Sequence, residues 1–154
     1  MAVATAKDDQ KLALSLLNEA RNIVNKRAGS YQDFADQLKV AESFASLDLK
    51  QSFEVLESGI AQLNEILAAA VVVNGFEAEV FREGELPLRG GSELGNMVAR
   101  YGSVLGALAK LDFDGARMTA DKFQLTEARL LTRLLIAQQV LGGQENSFDD
   151  KVRY

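Results

Sequence analysis

The chain has 154 residues, of which 47% are hydrophobic and 25% charged, as is usual for one globular domain. It contains no histidine and no cysteine. This composition excludes disulfides, zinc sites made of imidazole or thiolate ligands, and Ser-His or Cys-His nucleophile pairs. Because the net charge is −5, a phosphate backbone would be repelled on average, and nucleic acid is not an expected partner.

The start of the chain and its apolar runs indicate a soluble protein. "MAVATAKDDQ" lacks a basic region followed by an apolar stretch, so the chain as given has no predicted signal peptide. The longest apolar run, 66–73, is far shorter than the roughly 20 residues that span a bilayer. We therefore expect no membrane span and a cytoplasmic protein by default, although the lack of cysteine leaves the compartment open.

Helical spacing of apolar residues predicts three helices before residue 74. The first runs from Asp8 to about Lys26, Ser30 with Asp33 forms a capping-box pattern before the second, and Asp48 is the predicted N-cap of the third. The predicted inward positions are Leu12, Leu16 or Leu17, Ala20, Ile23 and Val24 in the first, Tyr31, Phe34, Leu38, Ala41 and Ala45 in the second, and Phe53, Leu56, Ile60, Leu63 and Leu67 in the third. The following "AAAVVV" is apolar on every side, which predicts burial.

Residues 74–93, "NGFEAEVFREGELPLRGGSE", form the one long irregular segment that the sequence predicts. The segment contains four glycines, the only proline and alternating charges. Its "VFREGELPL" is compatible with a short two-stranded ribbon about Glu83-Gly84, although Pro87 disfavours a central strand.

Three further helices are predicted after the irregular segment. Ser92 and Asp112 are the predicted N-caps of the first two, and the last helix is predicted to begin near Thr126. The predicted inward positions are Leu94, Val98, Tyr101, Leu105 and Leu108, then Phe113, Ala116, Ala120 and Phe123, then Leu130, Leu131, Leu134, Leu135 and Ala137. "GG" at 142–143 is expected to end the last helix and leave 143–154 as a flexible tail.

One short pattern occurs twice, 64 residues apart: Ala45-x-Leu47-Asp48 and Ala109-x-Leu111-Asp112. A small alanine lets two helices approach, the leucine ends the first helix in the core, and the aspartate caps the second. We call the short connection between the two helices the joint. An apolar residue directly after the aspartate is expected to fill it. The pattern predicts two tight αα-hairpins, either through internal repetition or because short patterns recur by chance.

Together these patterns predict an all-α fold of about six helices in one domain, 1–154, with antiparallel hairpins at 8–73 and 92–142 and the loop at 74–93. The segment "LAKLDFDGARMTADKFQLTEARLLTRLLIAQQVL" resembles a degenerate hairpin of the tetratricopeptide-like helical repeats, and in particular helical regions of uncharacterised bacterial proteins. The resemblance covers 98–141 best and 38–67 less well. It implies a stack of helix pairs that holds partners, without family catalytic residues to carry over.

We therefore predict a non-catalytic interaction or scaffolding module, either on its own or as part of a larger protein, that needs no cofactor or metal. Its partner is expected to be a protein, a peptide or a second copy of the chain. Aromatic and arginine side chains in the irregular segment are the candidate contact residues, because binding centres are enriched in these types. They are Phe76, Phe81, Arg82, Leu86 and Arg89.

An alternative is a small-ligand binder or a carboxylate-based enzyme that uses the same segment. Its acids are Glu77, Glu79, Glu83 and Glu85. A pair of them would suit a hydrolase or a divalent cation, and Gly90-Gly91 before a helix N-terminus would suit an anion. Solvated loop acids and glycines that only make a turn are the commoner explanation of both features.

Overall fold

The computed structural model describes residues 9–24, 26–74, 76 and 92–148, the last six of these by their backbone alone. Six helices account for the regular structure of these residues, which confirms the all-α prediction. They are α1 (Gln10–Val24), α2 (Tyr31–Phe44), α3 (Leu49–Val73), α4 (Glu93–Leu108), α5 (Phe113–Ala120) and α6 (Thr126–Phe148). The predicted ribbon about Glu83-Gly84, most of the predicted 74–93 loop and residues 149–154 lie outside the described residues.

The chain divides into two compact units, residues 1–79 and 80–154. Helices α1 to α3 belong to the first unit, and α4 to α6 belong to the second. Compact units of one chain can belong to one domain, so the single-domain prediction for 1–154 stays a prediction.

In the first unit, α2 packs against both α1 and α3. The core side chains are Leu17 of α1, Phe34, Leu38 and Phe44 of α2, and Leu56, Ile60, Leu63 and Leu67 of α3. The predicted stripes of α2 and α3 are therefore largely confirmed. In α1 the prediction of Leu16 or Leu17 is confirmed by Leu17, which is buried, whereas the prediction is wrong for Leu12 and Ile23, which are exposed. Since the buried Ala13 and Leu17 and the half-buried Ala20 and Val24 share one stripe, Leu12 and Ile23 fall outside it.

Polar groups fix the ends of α1 and α2 as the capping pattern predicts. The Asp33 amide donates to Ser30 Oγ at 3.4 Å, and the Ser30 amide donates to Asp33 Oδ2 at 2.9 Å, which closes the capping box. The buried amide of Gln37 donates to the carbonyl of Val24 at the end of α1 (3.0 Å). An ion pair between Arg21 and Glu54 (3.1 Å) ties α1 to α3.

The C-terminal end of α3 is exposed, contrary to the burial predicted for "AAAVVV". Ala70 is buried, whereas Val71, Val72 and Val73 are 50%, 71% and 47% exposed. The physical reason is length: α2 has 14 residues and α3 has 25. At 1.5 Å per residue, α2 covers about 21 Å of a helix that is about 38 Å long. The last turns of α3 extend beyond it.

Helix α3 is also the one described helix long and apolar enough to cross a membrane, judged by length and composition alone. Its most apolar window has a mean hydropathy of 1.4 and is 44% buried within the structure. The central helix of a globular core meets the same criterion. The absence of a membrane span thus stays a prediction.

In the second unit, α4 packs most extensively against α6, and α5 contacts both. The predicted inward residues of α4 are all buried: Leu94, Val98, Tyr101, Leu105 and Leu108. Burial raises the pKa of the Tyr101 phenol well above its ordinary value, and the positive charge of Arg100 offsets this only in part.

Two glycines one turn apart bring α4 close to α6. A Cβ at Gly102 would lie 2.6 Å from Leu135 Cδ1 and 3.2 Å from Thr132 Cα. A Cβ at Gly106 would lie 2.7 Å from Gln139 Cγ and 3.1 Å from the carbonyl oxygen of Leu135. Since the backbone of α6 is among these neighbours, the close packing of α4 on α6 depends on glycine, which has no side chain, at both positions.

Helix α6 differs from its prediction in both its buried face and its end. It buries Ala128, Thr132 and Ile136, whereas Leu130 and Leu134, predicted inward, are exposed, as is Ala137. The helix continues through Gly142 and Gly143 to Phe148. A glycine within a helix costs only about 1 kcal/mol relative to alanine, which does not force the helix to end. The predicted end of the helix at 142–143 is therefore wrong, and the flexibility of the tail stays a prediction.

The two predicted joints have the same backbone geometry. The Asp48 amide donates to the carbonyl of Phe44 at 2.8 Å, and the Asp112 amide donates to that of Leu108 at 2.9 Å. Each carboxylate accepts from the amide three residues on, at 3.2 Å for Asp48 and 2.9 Å for Asp112. The caps have φ and ψ of −151° and 90° at Asp48, and −148° and 96° at Asp112. The predicted N-caps are therefore confirmed. The leucine of the pattern was predicted to lie in the core, and this is wrong: Leu47 is half-buried and Leu111 is 64% exposed.

The residue that follows each aspartate does not fill its joint. Leu49 is half-buried and Phe113 is 49% exposed. The buried residues lie further on: Ser52, whose hydroxyl donates to the Ala41 carbonyl at 2.7 Å, and its counterpart Ala116.

Candidate functional site

The structure places few of the sequence-predicted contact residues. Phe76 is described and is 85% exposed. The other four, Phe81, Arg82, Leu86 and Arg89, lie outside the described residues, as do the four loop glutamates and Gly90-Gly91. The N-terminus of α4, where an anion was considered, has its own acceptor, since Ser92 Oγ accepts from the Gly95 amide at 2.9 Å. These predictions stay predictions.

A different apolar surface lies on α6. We define the leucine stripe as Leu130, Leu134, Ala137 and Leu141. The three leucines are 53%, 67% and 63% exposed, and their spacing of four, three and four residues puts all four members on one side of the helix. This side is nearly opposite to the face that packs on α4. Helix α6 therefore has two apolar faces, one of which is exposed.

Beside the stripe, α5 and α6 enclose an open groove with a volume of about 260 Å³. We define the α5–α6 groove by its lining, which is Phe113, Arg117, Arg133, Ile136 and Ala137. Phe113 and Arg117 lie one turn apart on α5, and Ala137 belongs to both the groove and the leucine stripe. The two features thus form one continuous surface.

Two guanidinium groups border this surface. Arg117 is paired with Asp114 at 3.6 Å, and both side chains are largely exposed. Arg133 donates through Nε to Asp121 Oδ1 at 2.7 Å, and its Nη2 lies 2.5 Å from the same oxygen. A guanidinium has five N–H donors, so Asp121 engages one edge of Arg133 and fixes its orientation.

The size and lining of the groove favour the side chains of a macromolecule over a whole small molecule. Typical ligand and cofactor sites enclose about 300–1,000 Å³ and bury most of the ligand, whereas this groove is smaller and open. Apolar walls with arginine at the edge suit an apolar side chain accompanied by an anion. Among the described residues, no group of three or more acidic side chains has the arrangement to hold a metal ion.

Sequence reasoning missed this surface because it assigned four of the leucines of α6 to the core, Leu130, Leu131, Leu134 and Leu135. Leu130-Leu131 and Leu134-Leu135 are adjacent pairs. Neighbouring residues in a helix point about 100° apart, so both members of a pair cannot lie at the centre of one face. The pairs were the available signal for a second apolar face.

Comparison with known proteins found no matching family model, no matching curated protein and no matching solved structure.

Proposed function

We propose that this chain is a protein-binding module whose contact surface combines the leucine stripe and the α5–α6 groove. The observation that carries this proposal is the exposure of Leu130, Leu134 and Leu141 in a line on one helix. Single exposed apolar residues are ordinary, but contiguous apolar patches are typical of interaction sites. The chain would act by holding a partner, without catalysing a reaction.

The composition of the surface supports this proposal. Leucines and an alanine supply apolar area, Phe113 supplies an aromatic anchor in the groove lining, and Arg117 and Arg133 of the same lining provide polar contacts. Binding centres combine such anchors with charged groups around them. A side of a helix that only faced solvent would carry polar and charged residues, not a line of leucines.

The tetratricopeptide-like resemblance belongs to the same proposal. Proteins of that class hold partners on stacked helix pairs, and the segment that carries the resemblance, 108–141, includes α5 and most of α6. Under this proposal Phe76 and the 74–93 segment would contribute a secondary contact. Protein or peptide partners, or a second copy of this chain, are the occupants to be distinguished.

The test is affinity capture from native cell lysate with three purified forms of the full chain: wild type, Leu134→Asp and Ile23→Asp. Leu134 and Ile23 are similarly exposed, at 67% and 70%, but Ile23 lies on α1 in the first unit. We expect one or more proteins to bind the wild type and Ile23→Asp and to be absent with Leu134→Asp. Direct binding is then verified with the purified partner by calorimetry.

Circular dichroism and light scattering of each form are the controls for folding and self-association. A wild-type dimer that Leu134→Asp converts to monomer would support the surface, with a second copy as the partner. Equal capture by all three folded forms, or no capture and no self-association, would contradict the proposal.

A further inference from the structure

We propose that the occupant of the α5–α6 groove is an acidic amphipathic helix of a partner protein, an inference that rests on the proposed function and deepens it. The partner helix lies along α6, places an apolar side chain between Phe113 and Ile136, and presents carboxylates to Arg117 and Arg133. The leucine stripe packs against its remaining apolar residues.

The spacing of the leucine stripe favours a helix as the occupant. Leu130 and Leu141 are separated by 11 residues of α6, which corresponds to about 16 Å along the axis. A straight line of apolar side chains of this length is the complement of another helix with apolar residues every three to four positions. The adjoining groove supplies the deeper contact that such an interface needs near its centre.

The charge of the lining favours an acidic partner. The residues that line the groove include two arginines and no carboxylate. The pair between Arg117 and Asp114 is long and exposed, and ion pairs of this kind contribute little, so a partner carboxylate can replace Asp114 at small cost. Asp121 holds Arg133 by one edge only, and the guanidinium retains N–H donors for a second carboxylate.

The net charge of −5 does not oppose this assignment. Salt screens charges that are more than about 8–10 Å apart, so the arginines at the contact decide specificity more than the distant acids do. The net negative charge of the chain slows its association with an acidic partner. Selectivity then comes mainly from the arginines that face the partner's carboxylates at the contact.

A second copy of α6 fits the groove less well than an acidic helix. On α6 the stripe is flanked by Arg133 on one side and by Glu127 on the other, so a second copy would bring an arginine as well as a carboxylate toward the groove arginines. Like charges across an interface reduce its stability. Self-association is therefore an outcome of the test and is not the occupant proposed.

The experiment uses the full chain and two fluorescein-labelled peptides of about 20 residues, long enough to populate a helix in isolation. Both peptides have leucine at the heptad a and d positions and alanine elsewhere, and their flanking e and g positions are all glutamate in one and all lysine in the other. Fluorescence anisotropy measures the dissociation constants at two salt concentrations. We expect the glutamate peptide to bind the wild type about tenfold more tightly than the lysine peptide.

Charge reversal of the groove supplies the decisive comparison. In Arg117→Glu/Arg133→Glu we expect the preference to reverse, so that the lysine peptide binds more tightly. The matched control, Arg100→Glu/Lys110→Glu, changes the net charge equally at exposed positions that do not line the groove, and should keep the wild-type preference. Arg117→Gln/Arg133→Gln should abolish the preference, and it provides a second measurement if the reversed form does not fold.

The outcomes separate this inference from the proposed function. Equal binding of both peptides, lost with Leu134→Asp, would overturn the acidic helix and leave the apolar binding surface intact. A wild-type dimer that excludes both peptides would overturn it in favour of a second copy. No binding to any folded form, together with no partner in the capture experiment, would overturn both proposals.

Discussion

The joints that precede α3 and α5 are alike in backbone geometry, yet the helices that follow them differ. After Asp48 the chain continues as one helix of 25 residues, whereas after Asp112 the helix lasts 8 residues and a third helix, α6, completes the unit. Both aspartates accept the same hydrogen bond from the amide three residues on. The joint determines how a hairpin begins, but not how long its second helix is.

The difference has a consequence for the exposed surfaces. In the first unit α3 extends past α2 and exposes valines at its end. In the second, the short α5 leaves room for α6 to pack on α4, and the groove forms where α5 and α6 diverge. Similar N-cap sequences are thus followed by different exposed surfaces, because the length of a helix determines which other helices can pack against it.

The largest effect is expected for the residues that end the first helix of each joint. Phe44 and Leu108 occupy equivalent positions and are 0% and 3% exposed. Phe44→Ala should destabilise the chain by about 3–5 kcal/mol, and Leu108→Ala by about 2–5 kcal/mol, because each leaves a cavity in a packed core. Hydrogen exchange measured separately for the two units reports where stability is lost. A loss of the expected size at one position and below about 1 kcal/mol at the other would contradict equivalent joints.

The next prediction concerns the close approach of α4 and α6 in the second unit. Gly102→Ala should destabilise by about 1–3 kcal/mol, because the added Cβ meets Leu135 and the backbone at Thr132. Gly142 is an exposed helical glycine with no atom within 4 Å of an added Cβ. Gly142→Ala should therefore stabilise by up to about 1 kcal/mol through helix propensity. Denaturant unfolding followed by circular dichroism measures both, and opposite signs are expected.

Substitution of the two N-cap aspartates tests directly whether the two joints are equivalent. Asp48→Ala and Asp112→Ala should each cost about 1 kcal/mol, since each removes the acceptor for an amide of the first helical turn. Asn replacements should preserve most of the stability, because the side-chain oxygen still accepts that hydrogen bond. A difference between the two sites larger than about 1 kcal/mol would indicate that their similarity is limited to backbone geometry.

The smallest effect is expected on the exposed face of α6. Leu134→Ala should change the free energy of unfolding by less than about 0.5 kcal/mol, because the side chain is 67% exposed. Leu105, which is fully buried on α4, is the matched leucine, and Leu105→Ala should cost about 2–5 kcal/mol. Comparable losses for the two variants would show that Leu134 is covered in solution, by a second copy or by another part of the chain.

Sequence reasoning was most successful where a local interaction decides the outcome. An N-cap needs one side chain and an amide three residues away, so Ser30, Asp48, Ser92 and Asp112 could be assigned without knowledge of the fold. The stripe of α4 could also be predicted, because its leucines, valine and tyrosine lie on one side only. These signals depend on residues within one or two turns of each other.

Prediction failed where a helix has more apolar residues than one face can bury. In α1 and α6 the composition permits more than one inward stripe, and the position of the neighbouring helix selects among them. The buried side of α6 follows from Gly102 and Gly106, which draw Thr132 and Leu135 toward α4 and turn Leu134 outward. The candidate site could not be predicted for the same reason, since it is the face that this packing leaves exposed.

The sequence by itself determined the all-α class, the number of helices and the residues that begin most of them, because hydrogen bonds between near neighbours specify these features. Only the tertiary structure decided which leucines of α6 are buried, that the helix continues through Gly142 and Gly143, and that the end of α3 is exposed. The burial of the leucines and the exposure of the end of α3 depend on where another helix lies and how far it extends. Burial is a property of two surfaces in contact, and a periodic pattern describes only one of them.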